Sequence, residues 1–154
     1  MTQIGNAAPD AHFTHPNGSP GKISDYKGKA LVVYFYPKDA TTGCTREAQD
    51  FTALASEFAA ANTVVLGMSK DSEKSHAKFI GKYDLQVALG SDVSGEVCEA
   101  FGVWVKKSMY GREYMGIERS TFLIGADGVI AQVWRKVKVA GHAAAVLEAT
   151  KALG

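Results

Sequence analysis

Apolar residues recur along the chain in two rhythms. Leu31-Val32-Val33-Tyr34-Phe35-Tyr36 is a continuous apolar run ended by Pro37, the pattern of a short strand covered on both faces. Thr63–Ser69 predicts a second buried strand, and Val87-Ala88-Leu89 a third, shorter one. Between the first two, Cys44, Ala48, Phe51, Ala55 and Phe58 step by four and three residues. That spacing predicts one long helix from Cys44 to about Ala61 with a single buried face. Asp71-Ser72 caps a further helix running to about Tyr83, with Glu73 in its first turn. Ser94–Phe101 reads as a short helix closed by Gly102.

The flanking regions are punctuated by turn residues. Near the start, Ala11–Thr14 and Lys22–Ser24 lie either side of Pro16-Asn17-Gly18-Ser19-Pro20, which predicts a small hairpin. Residues 104–119 mix apolar, charged and glycine positions and read mostly as loop. Thr121–Ile124 and Val129–Trp134 flank Gly125-Ala126-Asp127-Gly128, a second hairpin. A last helix runs from His142 to Leu153, with Val146, Leu147 and Leu153 turned inward. Strands alternating with helices, then a hairpin and a closing helix, predict an α/β protein. Its expected form is the thioredoxin-like fold: a central mixed β-sheet flanked by helices, with an extra N-terminal β-hairpin.

Composition narrows the function. The 154 residues suit a single domain spanning 1–154, and 46% hydrophobic with 21% charged residues is the balance of a globular protein. Seventeen basic and sixteen acidic residues leave a formal charge of +1, too little to hold nucleic acid or an anionic membrane by a long-range field. Arg135, Lys136 and Lys138 form only a short cluster, read as surface. No basic segment followed by an apolar run opens the chain and no apolar stretch approaches a membrane span, so a cytoplasmic location is expected. The two cysteines, Cys44 and Cys98, then point to reduced thiols rather than a disulfide framework. The four histidines and two cysteines show no metal-ligand spacing, and neither a metal nor another cofactor is expected.

Cys44 follows a strand and a loop and opens the long helix. The free N–H groups and positive dipole end of a helix favour an anion there, and the thiolate is the nucleophilic form of cysteine. Attack of a thiolate on a peroxide O–O bond gives a sulfenic acid and releases water or an alcohol. Periodicity also turns Cys44 inward, so a small buried cysteine is the competing reading from position alone.

The segment Tyr34-Phe35-Tyr36-Pro37-Lys38-Asp39-Ala40-Thr41-Thr42-Gly43-Cys44-Thr45-Arg46-Glu47 resembles the active-site signature of peroxiredoxins, Pro-x-x-x-Thr-x-x-Cys. The nearest subgroup is the one called PrxQ or bacterioferritin comigratory protein. The resemblance extends over nearly the whole chain, through Lys27-Gly28-Lys29, Ser69-Lys70-Asp71-Ser72 and Gly116–Ile124. It implies a thiol-dependent peroxidase acting on hydrogen peroxide and organic hydroperoxides. By position, it implies that Cys44 is the reacting cysteine and that Pro37, Thr41 and Arg119 complete the site. The implied roles are shielding by Pro37, a Thr41 hydroxyl that donates to the thiolate and accepts from the peroxide, and Arg119 donors for the thiolate and the departing oxygen. Backbone N–H groups at Gly43 and Cys44 would add to the anion site. Glu47, one turn after Cys44, either orients an arginine or is a solvated carboxylate.

The chain departs from this subgroup where many members carry a second, resolving cysteine. Position 49 is glutamine and position 80 is isoleucine. Cys98 shares an apolar stripe with Phe101 and reads as a core residue. A one-cysteine mechanism is therefore expected, with an external reductant (thioredoxin, glutaredoxin or a small thiol) and a monomeric enzyme. The alternatives on the same fold are a thiol-based redox sensor and a dithiol oxidoreductase. The latter lacks its CxxC, since position 47 is glutamate, and its proline before the hairpin strand, since all four prolines lie at or before Pro37.

Overall fold

The computed structural model describes residues 3–153. Its strands are β1 (His12–Thr14), β2 (Pro20–Lys22), β3 (Ala30–Phe35), β4 (Thr63–Ser69), β5 (Ala88–Ser91), β6 (Trp104–Met109), β7 (Arg112–Ile117), β8 (Ser120–Ile124) and β9 (Ile130–Trp134). The α-helices are α1 (Thr42–Ala53), α2 (Ala55–Ala60), α3 (Glu73–Tyr83), α4 (Glu96–Ala100) and α5 (His142–Ala152). Seven strands form one mixed sheet in the order β2-β1-β5-β4-β3-β8-β9. The β3–β4 and β4–β5 pairs are parallel, while β8 and β9 run antiparallel to their neighbours. The early hairpin joins the sheet through Thr14 and Ser91. This is the expected thioredoxin-like arrangement with its added hairpin.

The run through β3 is apolar throughout because both faces of the sheet are covered. Leu31, Val33 and Phe35 join one buried cluster with Leu66, Met68, Val97, Cys98, Phe101 and Phe122. Val32, Tyr34 and Tyr36 join another with Cys44, Ala48, Phe51, Phe58, Phe79, Val146 and Leu147. Side chains alternate across a strand, so the sheet itself separates these two clusters. Cys44 and Cys98 consequently lie on opposite faces of the sheet.

Four sequence expectations change. The predicted helix from Cys44 to Ala61 is two helices broken at Leu54, which has φ −102° and ψ 7°. Its N–H bonds back to Phe51 and Thr52, a tightened last turn that re-aims the chain while keeping both Phe51 and Phe58 buried. The segment predicted as loop over 104–119 contains a regular hairpin, with Trp104 opposite Ile117 and Met109 opposite Arg112. Its two-residue turn, Tyr110-Gly111, has φ of 52° and 78°, both left-handed, the geometry that matches the twist of the flanking strands. In the first hairpin the second strand is Pro20–Lys22, and Ile23–Tyr26 is a 3₁₀ turn. Leu153, expected inward, follows the last helix and is 45% exposed. The Arg135, Lys136 and Lys138 side chains are exposed as read from the sequence. Among the described residues, no helix is long and apolar enough to cross a membrane.

Candidate active site

The sheet topology determines which residues meet. Phe35, the last residue of β3, pairs with Ser120, the first of β8. The chain leaving β3 therefore starts its loop beside the residue just before β8, which is Arg119. That loop ends in the first turn of α1, where Thr41 is the N-cap and Cys44 the third helical residue. The first N–H groups of a helix lack intrahelical acceptors and point toward such a position.

Arg119 closes the arrangement. Its Nη2 lies 3.2 Å from Cys44 Sγ, and its Nη1 donates to Glu47 Oε1 at 2.5 Å. Cys44 and Glu47 sit one turn apart on α1, so one guanidinium fork spans both. Cys44 is 2% exposed and Glu47 is 1% exposed. Gly43 lies beside the guanidinium: a Cβ there would stand 3.4 Å from Arg119 Nη2, an ordinary contact. Burial pushes the Glu47 carboxyl up to about 7, against the pull of Arg119. Its second oxygen, Oε2, is buried with no hydrogen-bond partner in the protein. The ion pair with Arg119 is thus close, yet desolvation outweighs it at Glu47. The charges of Glu47 and Cys44 raise Arg119 above its usual range, although partial burial opposes them.

The other residues expected at the site are placed differently from their expected roles. The Thr41 hydroxyl donates to the Lys38 carbonyl at 2.8 Å and is exposed, so its one proton is directed away from the thiol. The oxygen keeps its lone pairs for accepting. Pro37 ends β3 as expected but lies exposed at the start of the loop. Cys44 owes its burial to the apolar cluster formed with Tyr34, Tyr36, Ala48 and Phe51.

Three residues at or near this site were not anticipated. Asp39, in the loop, is buried, and its carboxylate accepts from the Tyr36 hydroxyl at 2.5 Å and from Ser75 Oγ at 2.8 Å. His76 Nδ1 on α3 stands 2.7 Å from the same carboxylate. Burial opposes ionisation of Asp39, but the hydrogen bonds from His76 and Tyr36 outweigh it and hold the carboxyl below its usual range. The third is Lys107 on β6, lowered first by partial burial and then by the neighbouring Arg119 charge. The pairing of Asp39 with His76 joins positions 37 residues apart, which no short-range pattern signals.

Asp39, Asp71 and His76 also bring ligand-type atoms within 4.8 Å of one another. Asp71 Oδ2 already accepts from the Asp39 N–H at 2.8 Å and from Ser69 Oγ at 2.7 Å. A cation would have to displace these bonds and the Asp39–His76 contact. Cys98 is fully buried, its backbone N–H bound to Asp92 Oδ2 at 2.8 Å. Burial first, then Asp92, pushes its thiol far above the usual range.

A buried helix-start thiol held by a partly buried arginine is the geometry expected for a peroxide-reducing cysteine, and the sequence profile of the AhpC/TSA family matches residues 4–133. The chain belongs to this family. It is a peroxiredoxin, similar over its length to others of the Bcp type. Peroxiredoxin Bcp of Bacillus subtilis is 48% identical over 149 residues, 97% of this chain and 95% of that one. Among solved structures, PrxQ of Xylella fastidiosa superposes with a TM-score of 0.93 at 41% identity, covering 99% of this peroxiredoxin and 98% of that chain. The bacterioferritin comigratory protein of Xanthomonas campestris, studied for alkyl peroxide reduction, gives a TM-score of 0.91 at 46% identity, covering 99% and 98%.

Proposed function

We propose that this thiol peroxidase works through Cys44 by a one-cysteine cycle, reducing hydrogen peroxide and organic hydroperoxides in the cytoplasm as a monomer. The Cys44 thiolate attacks one oxygen of the peroxide. An S–O bond forms as the O–O bond breaks, and the departing oxygen takes a proton to leave as water or an alcohol. An external thiol then attacks the sulfenic sulfur, releasing water and leaving a mixed disulfide. A second thiol resolves that disulfide and restores Cys44. The reductant is a small thiol, glutaredoxin or thioredoxin.

One observation carries this reading above the rest: the 3.2 Å contact between Arg119 Nη2 and Cys44 Sγ at the start of α1. The guanidinium supplies a fixed charge beside both the thiolate and the oxygen on which negative charge develops. Gly43 and Cys44 backbone N–H groups add to that field, and the Thr41 oxygen is available to accept a hydrogen bond from the peroxide O–H. The opposite placement of Cys98 favours an external over an internal resolving thiol. The test is Cys44→Ser assayed for peroxide consumption with a thiol donor. Turnover is expected to vanish, because a neutral hydroxyl cannot replace the thiolate. Turnover retained with Cys98 intact would refute the assignment.

A further inference from the structure

Alternation along β6 sends Lys106 and Lys107 to opposite faces of its hairpin. Lys106 is ion-paired with Glu113. Lys107 is partly buried and, among the described residues, has no ion-pair partner. Its stem lies across Gly116 on the paired strand: a Cβ there would stand 3.3 Å from Lys107 Cδ and 3.5 Å from Cε. Lys107 is in register with Tyr114, so crossing to Gly116 carries the ammonium toward the base of the hairpin, where β7 leads into Glu118 and Arg119. There the ammonium feels the charges of Arg119, Glu118 and Cys44.

A second basic segment reaches the same place from the end of β9. The Val137 N–H donates to the Arg119 carbonyl at 2.9 Å, which sets the exposed Lys136 and Lys138 beside the backbone that carries Arg119. Neither lysine has an ion-pair partner among the described residues. The whole chain holds seventeen basic and sixteen acidic residues, so this local excess is a matter of placement. The carboxylates that bear on Lys107 and Arg119 are Glu118 and the buried Glu47, and Glu47 is already bound to Arg119. Oxidation shifts the balance further. A thiolate carries one negative charge, and the sulfenic acid that replaces it carries none. The oxidised site is therefore more positive than the reduced one at the moment when it must receive a thiol.

We infer that Lys107, backed by Lys136 and Lys138, is a specificity-determining residue that favours a small, carboxylate-bearing thiol as the reductant of the Cys44 sulfenic acid. The inference rests on Cys44 being the reacting thiol and on its reductant being external. Small size follows from burial, since Cys44 is 2% exposed. The sign follows from charge: lysines without carboxylate partners attract an anionic thiol and repel a cationic one. In the step itself the incoming sulfur forms an S–S bond to Cys44 as the S–O bond breaks, and the thiol proton leaves with the oxygen as water. The carboxylate takes no part in that exchange. Lys107 holds it while the two sulfurs meet.

In the test, the reduced full chain receives one equivalent of hydrogen peroxide. Loss of the Cys44 sulfenic acid is then timed by chemical trapping and mass spectrometry with mercaptopropionate, mercaptoethanol or cysteamine, small thiols that are anionic, neutral and cationic. Rates are expressed per thiolate, which removes differences in thiol acidity. At low ionic strength the anionic thiol should react about tenfold faster than the cationic one, as for charge-steered encounter. At molar salt, where screening is nearly complete, that ratio should fall toward one. Lys107→Met keeps the stem on Gly116 and should lower the low-salt ratio severalfold, and Lys107→Glu should lower it further. Lys136→Met combined with Lys138→Met should lower it less. Mercaptoethanol is the internal reference, since a general change in folding or in Cys44 reactivity moves all three thiols alike. Equal rates for the three thiols with wild type, a ratio unmoved by salt, or a ratio that survives all three lysine-to-methionine changes together would each overturn the inference. Failure of the larger reading looks different: peroxide that leaves Cys44 unoxidised refutes the reacting thiol, whereas a Cys44 sulfenic acid consumed without regard to thiol charge refutes only the selection.

Discussion

The buried Glu47 carboxyl binds its proton more tightly in the folded chain than in the unfolded one, its value being raised from 4.5 to about 7. Between those values the native state holds the extra proton, so this residue makes the fold less stable as pH rises through the window. The total is on the order of a few kcal/mol, since each pKa unit corresponds to about 1.4 kcal/mol. His142 acts in the opposite sense. Burial, aided by the Arg119 charge, lowers it from 6.5 to about 4. Its unfolded form takes the proton first, so its contribution to stability is lost as pH falls from about 6.5 to about 4. The two slopes overlap and partly cancel. The informative measurement is therefore the difference between wild type and Glu47→Gln in urea denaturation at stepped pH. Glu47→Gln should remove the fall between about pH 4.5 and 7 and leave the His142 rise. An unchanged profile would mean that the carboxyl is not raised. At the same residue cluster, Arg119→Met should slow sulfenate formation by ~100–1,000-fold, the range for losing one transition-state donor. A wild-type rate in stopped-flow oxidation would reduce Arg119 to a structural partner of Glu47.

At the scale of elements, the sequence was legible wherever a periodic apolar run met a recognisable stop. The run ended by Pro37 gives β3, the Thr63–Ser69 run gives β4, and Ser72 caps α3 by accepting from the Ser75 N–H at 3.1 Å. The β6–β7 hairpin was hidden because its side chains are mostly partly or fully exposed and its turn is Tyr-Gly rather than Asn-Gly or Asp-Gly. Leu54 was hidden because the 3.6-residue rhythm continues through it. Of the site, Cys44 could be read from its place after a strand, while Arg119 came through family resemblance. The Asp39–His76 tie depends on tertiary placement of α3 and left no local pattern. The hairpin turn supplies its own test. Tyr110 is 97% exposed at φ 52°, where asparagine is better tolerated than an aromatic residue. Tyr110→Asn should stabilise the protein by about 0.5–1 kcal/mol, since packing is not sacrificed. Equal or lower stability in urea denaturation would contradict the assigned turn geometry.

Across the whole molecule, the sheet divides the two thiols. Cys44 belongs to the face covered by α1, α3 and α5, and Cys98 to the face covered by α4 with Ile23, Val103 and Ile117. A disulfide requires Cα atoms within about 7 Å and facing Cβ vectors, which a sheet standing between the two residues does not allow. Cys98→Ala should accordingly leave peroxidase turnover with a small-thiol donor near wild type, while lowering stability by about 1 kcal/mol through lost packing. The division also makes the fate of the oxidised enzyme the most direct test of the account. Reduced protein is given one equivalent of hydrogen peroxide without a thiol, trapped, and mapped by peptide mass spectrometry. The account predicts one added oxygen on the Cys44 peptide, an unmodified Cys98 peptide, and loss of the added oxygen when a thiol is supplied. A dominant peptide linking Cys44 to Cys98 from monomeric protein, or oxygen added at Cys98 with Cys44 untouched, would contradict it.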